Sequence, residues 1–136
     1  MPKILGLNLV AVIAASVLFY LVGFLWYGVI FQEAWAAASG ITTAEANASS
    51  PIYMVGGFLI TVLQVIGIGL VLKWKGDATP MAAATTAAVL WFFIALPFTM
   101  YAYLYTPAHD STLLMIDASH LLVGWVLSAA VLRLIK

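Results

Sequence analysis

Cysteine is absent from this 136-residue chain, which excludes disulfides, thiolate metal sites and cysteine nucleophiles. Charge is scarce as well. Asp, Glu, Lys and Arg make up 7% of the residues, against about 25% in soluble domains. A water-exposed surface needs that charge, so the solvent around most of the chain is lipid. The formal net charge is zero and there is no basic run, which leaves nucleic-acid binding without an electrostatic footing. Also missing are a phosphate-binding Gly-rich loop, an HExxH pair and a GxSxG elbow. No cofactor signature is present, and the residues lean away from an enzyme.

What is present is apolar: hydrophobic residues make up 65% of the chain. A membrane-spanning helix needs about 20 of them in succession. Four segments qualify: about 4–31, 51–72, 81–104 and 113–132. Barrel strands alternate apolar and polar residues over about ten positions, whereas these runs are continuously apolar and twice as long. A helix also satisfies its own backbone hydrogen bonds in lipid. The first run is too long for the core of a signal peptide and reads as a retained helix. The expected fold is therefore all-α: one integral membrane domain, residues 1–136, built as a four-helix bundle. The lipid bilayer is its first partner.

Two connections are short, Lys73 to Asp77 and Tyr105 to Asp110, so the helices they join run antiparallel. The longest connection, about Gln32 to Ser50, has structure of its own. Gln32 to Ala38 continues the first helix along the membrane surface, anchored by Trp35, and Gly40 suits a helix stop. Thr42 and Glu45 fit a capping box. Asn47-Ala48-Ser49 fits a glycosylation acceptor, a triplet common by chance and here discounted.

Orientation follows from the basic residues, which concentrate on the cytoplasmic side of membrane proteins. Lys3, Lys73, Lys75, Arg133 and Lys136 all fall at one end, while the opposite connections hold Glu33, Glu45 and Asp110. Both termini are thus expected in the cytoplasm. Trp26, Tyr27, Trp35, Tyr53, Tyr101, Tyr103 and Tyr105 gather toward the other end, where aromatic residues favour the interface.

Between membrane helices close packing and polar contacts drive association, so small residues mark contact faces. Ala11 and Ala15 on span one, Gly56, Gly57, Gly67 and Gly69 on span two, Ala83 and Ala87 on span three, and Gly124 and Ser128 on span four are such notches. The same faces would serve a homo-oligomer or a larger membrane complex. Pro97 removes a backbone donor inside span three and frees the Phe93 carbonyl, which reads either as a hinge or as a tolerated bend.

The chemistry concentrates on span four. At 100° per residue, Asp117, His120, Gly124 and Ser128 fall within about 80° of one another. Lipid does not accommodate an Asp and a His, so this stripe faces the bundle interior, a partner or a water-filled cavity. Ser16, Tyr20, Gly23 and Tyr27 form a similar stripe on span one, and Tyr53, Gly57, Gln64 and Gly67 one on span two. Turned inward together, they put Tyr27 at the depth of Asp117 and His120, with Gln64 deeper. Asp117, His120, Tyr27, Gln64 and Tyr20 are the candidate ligand or proton site; the alternative is helix-to-helix glue, with Asp117 bonded to Tyr27. Glu33, His109, Asp110, Asp117 and His120 share one end, but no spacing motif makes them a metal site.

Three stretches carry a resemblance: Leu25 to Trp35 with the Gly, Thr and Glu of the turn after it, Trp91 to Pro97, and Ile116 to Gly124. Together with the four-span plan they make the chain resemble the small bacterial membrane proteins of the domain of unknown function 1761 family. The resemblance implies a bacterial inner-membrane location and no known activity. It matches Trp26 and Tyr27 to a Trp-Tyr pair that family members carry, and Asp117 to an Asn or Asp. His120 departs from the pattern, which weighs against a role that requires a histidine. Small multidrug transporters share the size but depend on a Glu within span one, and none precedes Glu33 here.

Three functions compete. A small carrier or channel-like protein would bind or pass its solute at the polar stripes. A structural or accessory subunit would use the notches against a larger complex. A lipid- or quinone-binding membrane enzyme would act through Asp117, His120 and Tyr27.

Overall fold

The computed structural model describes residues 2–40, 42 and 51–135. Four helices are long and apolar enough to cross a membrane: Leu9–Ile30, Pro51–Lys75, Pro80–Tyr105 and Ser111–Leu134. At 1.5 Å per residue their 22 to 26 residues reach about 33–39 Å, enough for a hydrocarbon core of about 30 Å. The chain is a multi-pass membrane protein of the all-α class. Leu, Ile, Val and Phe side chains stand exposed along all four helices, as a lipid-facing surface requires.

The first span starts later than its apolar run. Lys3–Ile4 pairs with Leu7–Asn8 in a two-stranded antiparallel hairpin. The turn between them holds Leu5 at φ 51° and Gly6 at φ 79°, the backbone that a two-residue mirror-image turn demands. Asn8 then caps the helix: its Oδ1 accepts from the N–H of Val10 (2.9 Å) and Ala11 (3.4 Å). A run of apolar residues does not reveal this boundary, because Ile4, Leu5, Gly6 and Leu7 of the hairpin are residue types the helix also uses.

The other ends follow local chemistry. Gly76, at φ 82°, closes the second span, and both its N–H and that of Asp77 return to the Leu72 carbonyl. Thr79 caps the third span ahead of Pro80, and Asp110 caps the fourth through Leu113 N–H. The helix Gln32–Ser39 follows a break at Phe31, ends at left-handed Gly40, and folds onto the fourth span with Ala36 buried. Glu45, with its capping box, and the Asn47-Ala48-Ser49 triplet lie outside the described residues.

Two spans carry a widened, π-helical turn, at Trp26–Ile30 and at Trp91–Ala95. The second lies just ahead of Pro97. The discontinuity expected at that proline therefore takes the form of a wide turn in a helix that continues to Tyr105.

The fourth span is the hub. It packs against each of the other three, whereas the second and third spans barely meet. Toward the basic end the contacts are apolar and close, with Ala11, Ala15, Val65, Leu72, Ala83, Ala87 and Ala129 in one buried cluster. Gly124 takes the ring of Phe19 directly over its Cα, so that even a methyl group there would overlap the ring. Ser16 and Ser128 are fully buried.

The second span departs from the expected pattern. Among the described residues Gly57 and Gly67 meet nothing within 4 Å of where a Cβ would stand, so there they do not act as packing notches; Gly69, which faces Leu7 and Leu132, does. Tyr53 is 73% exposed, so the expected inward stripe holds only at Gln64. Away from the basic end this span leans off the bundle, leaving Ile52, Tyr53, Met54, Val55, Leu59 and Ile60 exposed.

Candidate functional site

The wide turn of the first span shapes the site. Phe31 N–H bonds to the Trp26 carbonyl, five residues back, at 2.9 Å. Its two leading side chains both reach the fourth span. Trp26 Nε1 donates to Ser119 Oγ at 2.9 Å, and Tyr27 Oη donates to Asp117 Oδ1 at 2.5 Å. Asp117 and Ser119 lie about 200° apart around their helix, so the pair grips it from two flanks. From the third span, Trp91 Nε1 donates to the Ala118 carbonyl at 2.8 Å. One turn of the fourth span is thus held by two tryptophans and a tyrosine.

His120 sits one turn deeper. Its ring lies between Phe19, at a centroid distance of 5.4 Å, and Tyr27, at 5.1 Å and nearly perpendicular. Such ring contacts, tilted at Phe19 and edge-to-face at Tyr27, fix the imidazole without engaging its nitrogens. Among the described residues neither imidazole nitrogen has a hydrogen-bond partner. A Cβ at Gly23 would come within 3.1 Å of His120 Nε2, so this glycine makes the room the imidazole occupies. Trp35 closes the cluster edge-on against Tyr27, at 5.7 Å.

Three cavities meet here. One of about 420 Å³ lies between the second and third spans and includes Tyr27, Gln64, Asp117, His120 and Trp125 in its wall. Another, of about 610 Å³, lies between the first and second spans and includes Tyr20, Gly23, Tyr27 and His120. The third, of about 330 Å³, opens beside Asp110 and shares Asp117 with the first. Tyr27 and His120 therefore border both clefts that flank the leaning half of the second span. The rims are apolar and open sideways: Phe98 and Ile94 on one side, Leu21, Phe24 and Met54 on the other, all largely exposed.

Of the residues expected to converge, Tyr27, Asp117 and His120 do so. Gln64 joins the same cavity from below, its Oε1 accepting from Trp125 Nε1 at 2.8 Å. Tyr20 stands apart from Asp117: its Oη donates to the Met54 carbonyl at 3.0 Å and its ring meets Phe58 edge-on. Gly124 and Ser128 lie below the cluster, in the close-packed part. Sequence reasoning places Gly23 on the span-one stripe and Trp26 at the interface without giving either a part in the site, and it assigns no role to Trp91, Trp125 or Ser119. The signal was available, since an indole buried in a membrane helix needs an acceptor for its N–H.

Loop residues spend their polar groups locally. His109 Nδ1 lies 2.8 Å from the Tyr103 carbonyl, and Asp110 is the helix cap. Among the described residues no three His, Asp or Glu side chains come together as a metal site.

No curated protein and no solved structure matches this chain. One family model does, over residues 10–133, which takes in nearly all of the four spans and every residue of the polar cluster. The resemblance seen in the Leu25–Trp35, Trp91–Pro97 and Ile116–Gly124 stretches is borne out: the chain belongs to the family described as Protein of unknown function (DUF1761).

Proposed function

We propose that this protein is a small carrier that takes up an amphipathic solute, with the solute's hydrogen-bonding head against His120 and Asp117. One observation carries the reading. His120 borders both lateral clefts, and its ring nitrogens are unengaged among the described residues. An imidazole offers a donor and an acceptor at once, and Asp117 beside it adds further acceptor capacity. The apolar rims admit a solute from the lipid side. The close contact around Phe19 and Gly124 closes the bundle toward the basic end, which supports a carrier open at one end over a continuous pore. Pro97 and its wide turn are where span three would bend to change access.

In this reading the protein resides in the bacterial inner membrane with both termini in the cytoplasm. The basic residues at one end support that orientation. The native chain has no cysteine. Single cysteines placed at Ser39 and at Trp74 therefore test it cleanly: a membrane-impermeant maleimide applied to intact cells should label the first and spare the second.

For the site, native mass spectrometry of protein released from nanodiscs should find a small-molecule adduct on the wild type. Asp117→Asn and His120→Phe should lose it while the thermal transition persists. A wild-type chain that carries no adduct, and that shows no solute flux in proteoliposomes distinguishable from either variant, would sink the proposal.

A second reading rests on Gly56, Gly57 and Gly67. They are small residues on a helix, and among the described residues nothing stands within 4 Å of where their Cβ atoms would be. Small residues let membrane helices approach closely, so this face suits a partner helix of an oligomer or larger complex. A stable co-purifying polypeptide in mild detergent would favour it.

A further inference from the structure

The basic end holds a further cavity, apart from the three beside the cluster above. It measures about 350 Å³ and lies where the hairpin, the second span and the end of the fourth span meet. Lys73, Arg133, Asn8, Gly6 and Asp77 are in its wall.

The two basic groups reach the cavity differently. A Cβ at Gly6 would overlap Lys73 Nζ, so the bare turn of the hairpin leaves the ammonium its position. Arg133 Nε donates to the Asp77 carbonyl at 2.5 Å, which fixes the guanidinium at the cavity and leaves its terminal nitrogens for another acceptor. The Asp77 carboxylate is directed to other partners, Oδ1 to Lys75 at 2.8 Å and Oδ2 to Thr86 at 2.5 Å, so both of its oxygens are engaged away from Asn8 and Lys73. Basic residues in the last turn of a helix are common and favourable by themselves. Asn8 sets this site apart. Its Oδ1 caps the first span, while its amide Nδ2 is buried without a hydrogen-bond partner among the described residues. A buried donor without an acceptor is costly, and a bound acceptor would relieve that cost.

An ammonium, a guanidinium and an amide around one cavity suit an oxyanion, and phosphate is the oxyanion that a membrane surface presents. We propose that this cavity binds a phosphate group, held by Lys73, Arg133 and Asn8 Nδ2. At this depth an anionic phospholipid is the source that the basic end of the bundle would meet.

Asn8→Asp is the discriminating variant. Asp caps a helix as well as Asn does, yet it replaces the amide donor with a carboxylate oxygen that repels phosphate. Lys73→Gln removes one charge from an exposed position and carries the test should Asn8→Asp fold poorly. Each protein is placed in nanodiscs of phosphatidylcholine doped with phosphatidylglycerol, and the retained lipid is read by native mass spectrometry. The wild type should retain phosphatidylglycerol over phosphatidylcholine, and each variant should lower that preference about tenfold. If millimolar inorganic phosphate displaces the lipid and is itself retained in pure phosphatidylcholine, the phosphate site stands with free phosphate as its source. Equal retention of the two lipids by the wild type, with no phosphate adduct, overturns the proposal. So does a preference that both variants keep.

Discussion

Tyr27 and Asp117 join the first and fourth spans through a 2.5 Å hydrogen bond from the phenol to the carboxyl Oδ1. The bond gives Asp117 a donor inside an apolar bundle and holds Tyr27 edge-on beside His120. It also explains why an acidic residue is tolerated within a spanning helix.

Tyr27→Phe removes the donor and leaves the carboxyl without it. Interhelical hydrogen bonds in membranes average about 0.6 kcal/mol, while stranding a buried acceptor costs about 1–3 kcal/mol. A destabilisation of about 1–2 kcal/mol is expected, seen as a lower thermal midpoint in detergent. The double variant with Asp117→Leu should recover part of the loss, because both polar partners are then gone. An additive loss in that cycle would refute the coupling.

Gly124→Ala should destabilise by about 1–3 kcal/mol, because its methyl group must enter space filled by the buried Phe19 ring. Gly67→Ala has open space and should be neutral or stabilise by up to about 1 kcal/mol. Unfolding midpoints of the two variants, taken in the same detergent, should move apart. If Gly67→Leu instead dissociates a dimer, the partner-helix reading of the second span gains.

Ser128 offers a quieter test. Its Oγ is buried with no hydrogen-bond partner among the described residues, whereas Ser16 Oγ donates to the Val12 carbonyl at 2.7 Å. Ser128→Ala removes an unsatisfied group and should leave stability within about 0.5 kcal/mol or raise it. A clear loss in thermal midpoint would mean that this hydroxyl has a partner in the membrane.

The pH response of the basic end follows from Asp77, which lies between the second and third spans. The hydrogen bond from Lys75, and after it that from Thr86, holds the Asp77 carboxyl below the usual carboxylate range. The group is therefore more acidic folded than unfolded, and its contribution to stability is present above the ordinary carboxylate pKa. That contribution fades as pH falls through the depressed folded value. Thermal midpoints of wild type and Asp77→Asn should differ at neutral pH and converge as pH falls below about 4. A gap that stays constant down to pH 3 would show that the carboxylate charge is not what Lys75 and Thr86 stabilise.

Composition alone determined that this chain lives in lipid, because so few charges cannot solvate a surface in water. Run length determined the number of spans, since each must cover the bilayer core with its backbone bonds closed. Helix periodicity put Asp117 and His120 on one face and matched Tyr27 to their depth, because depth along a helix is a simple function of residue count. Residue type did not reveal where the first helix begins, since the hairpin ahead of Asn8 is as apolar as the helix. Nor did it show which notches are used. Among the described residues Gly124 meets Phe19 while Gly57 and Gly67 meet nothing, a difference set by which face of each helix the bundle covers. The clefts beside His120, and the cavity between Asn8, Lys73 and Arg133, arise where helices diverge. Only the tertiary structure decided those, because the gap between two helices depends on the contacts that each makes elsewhere.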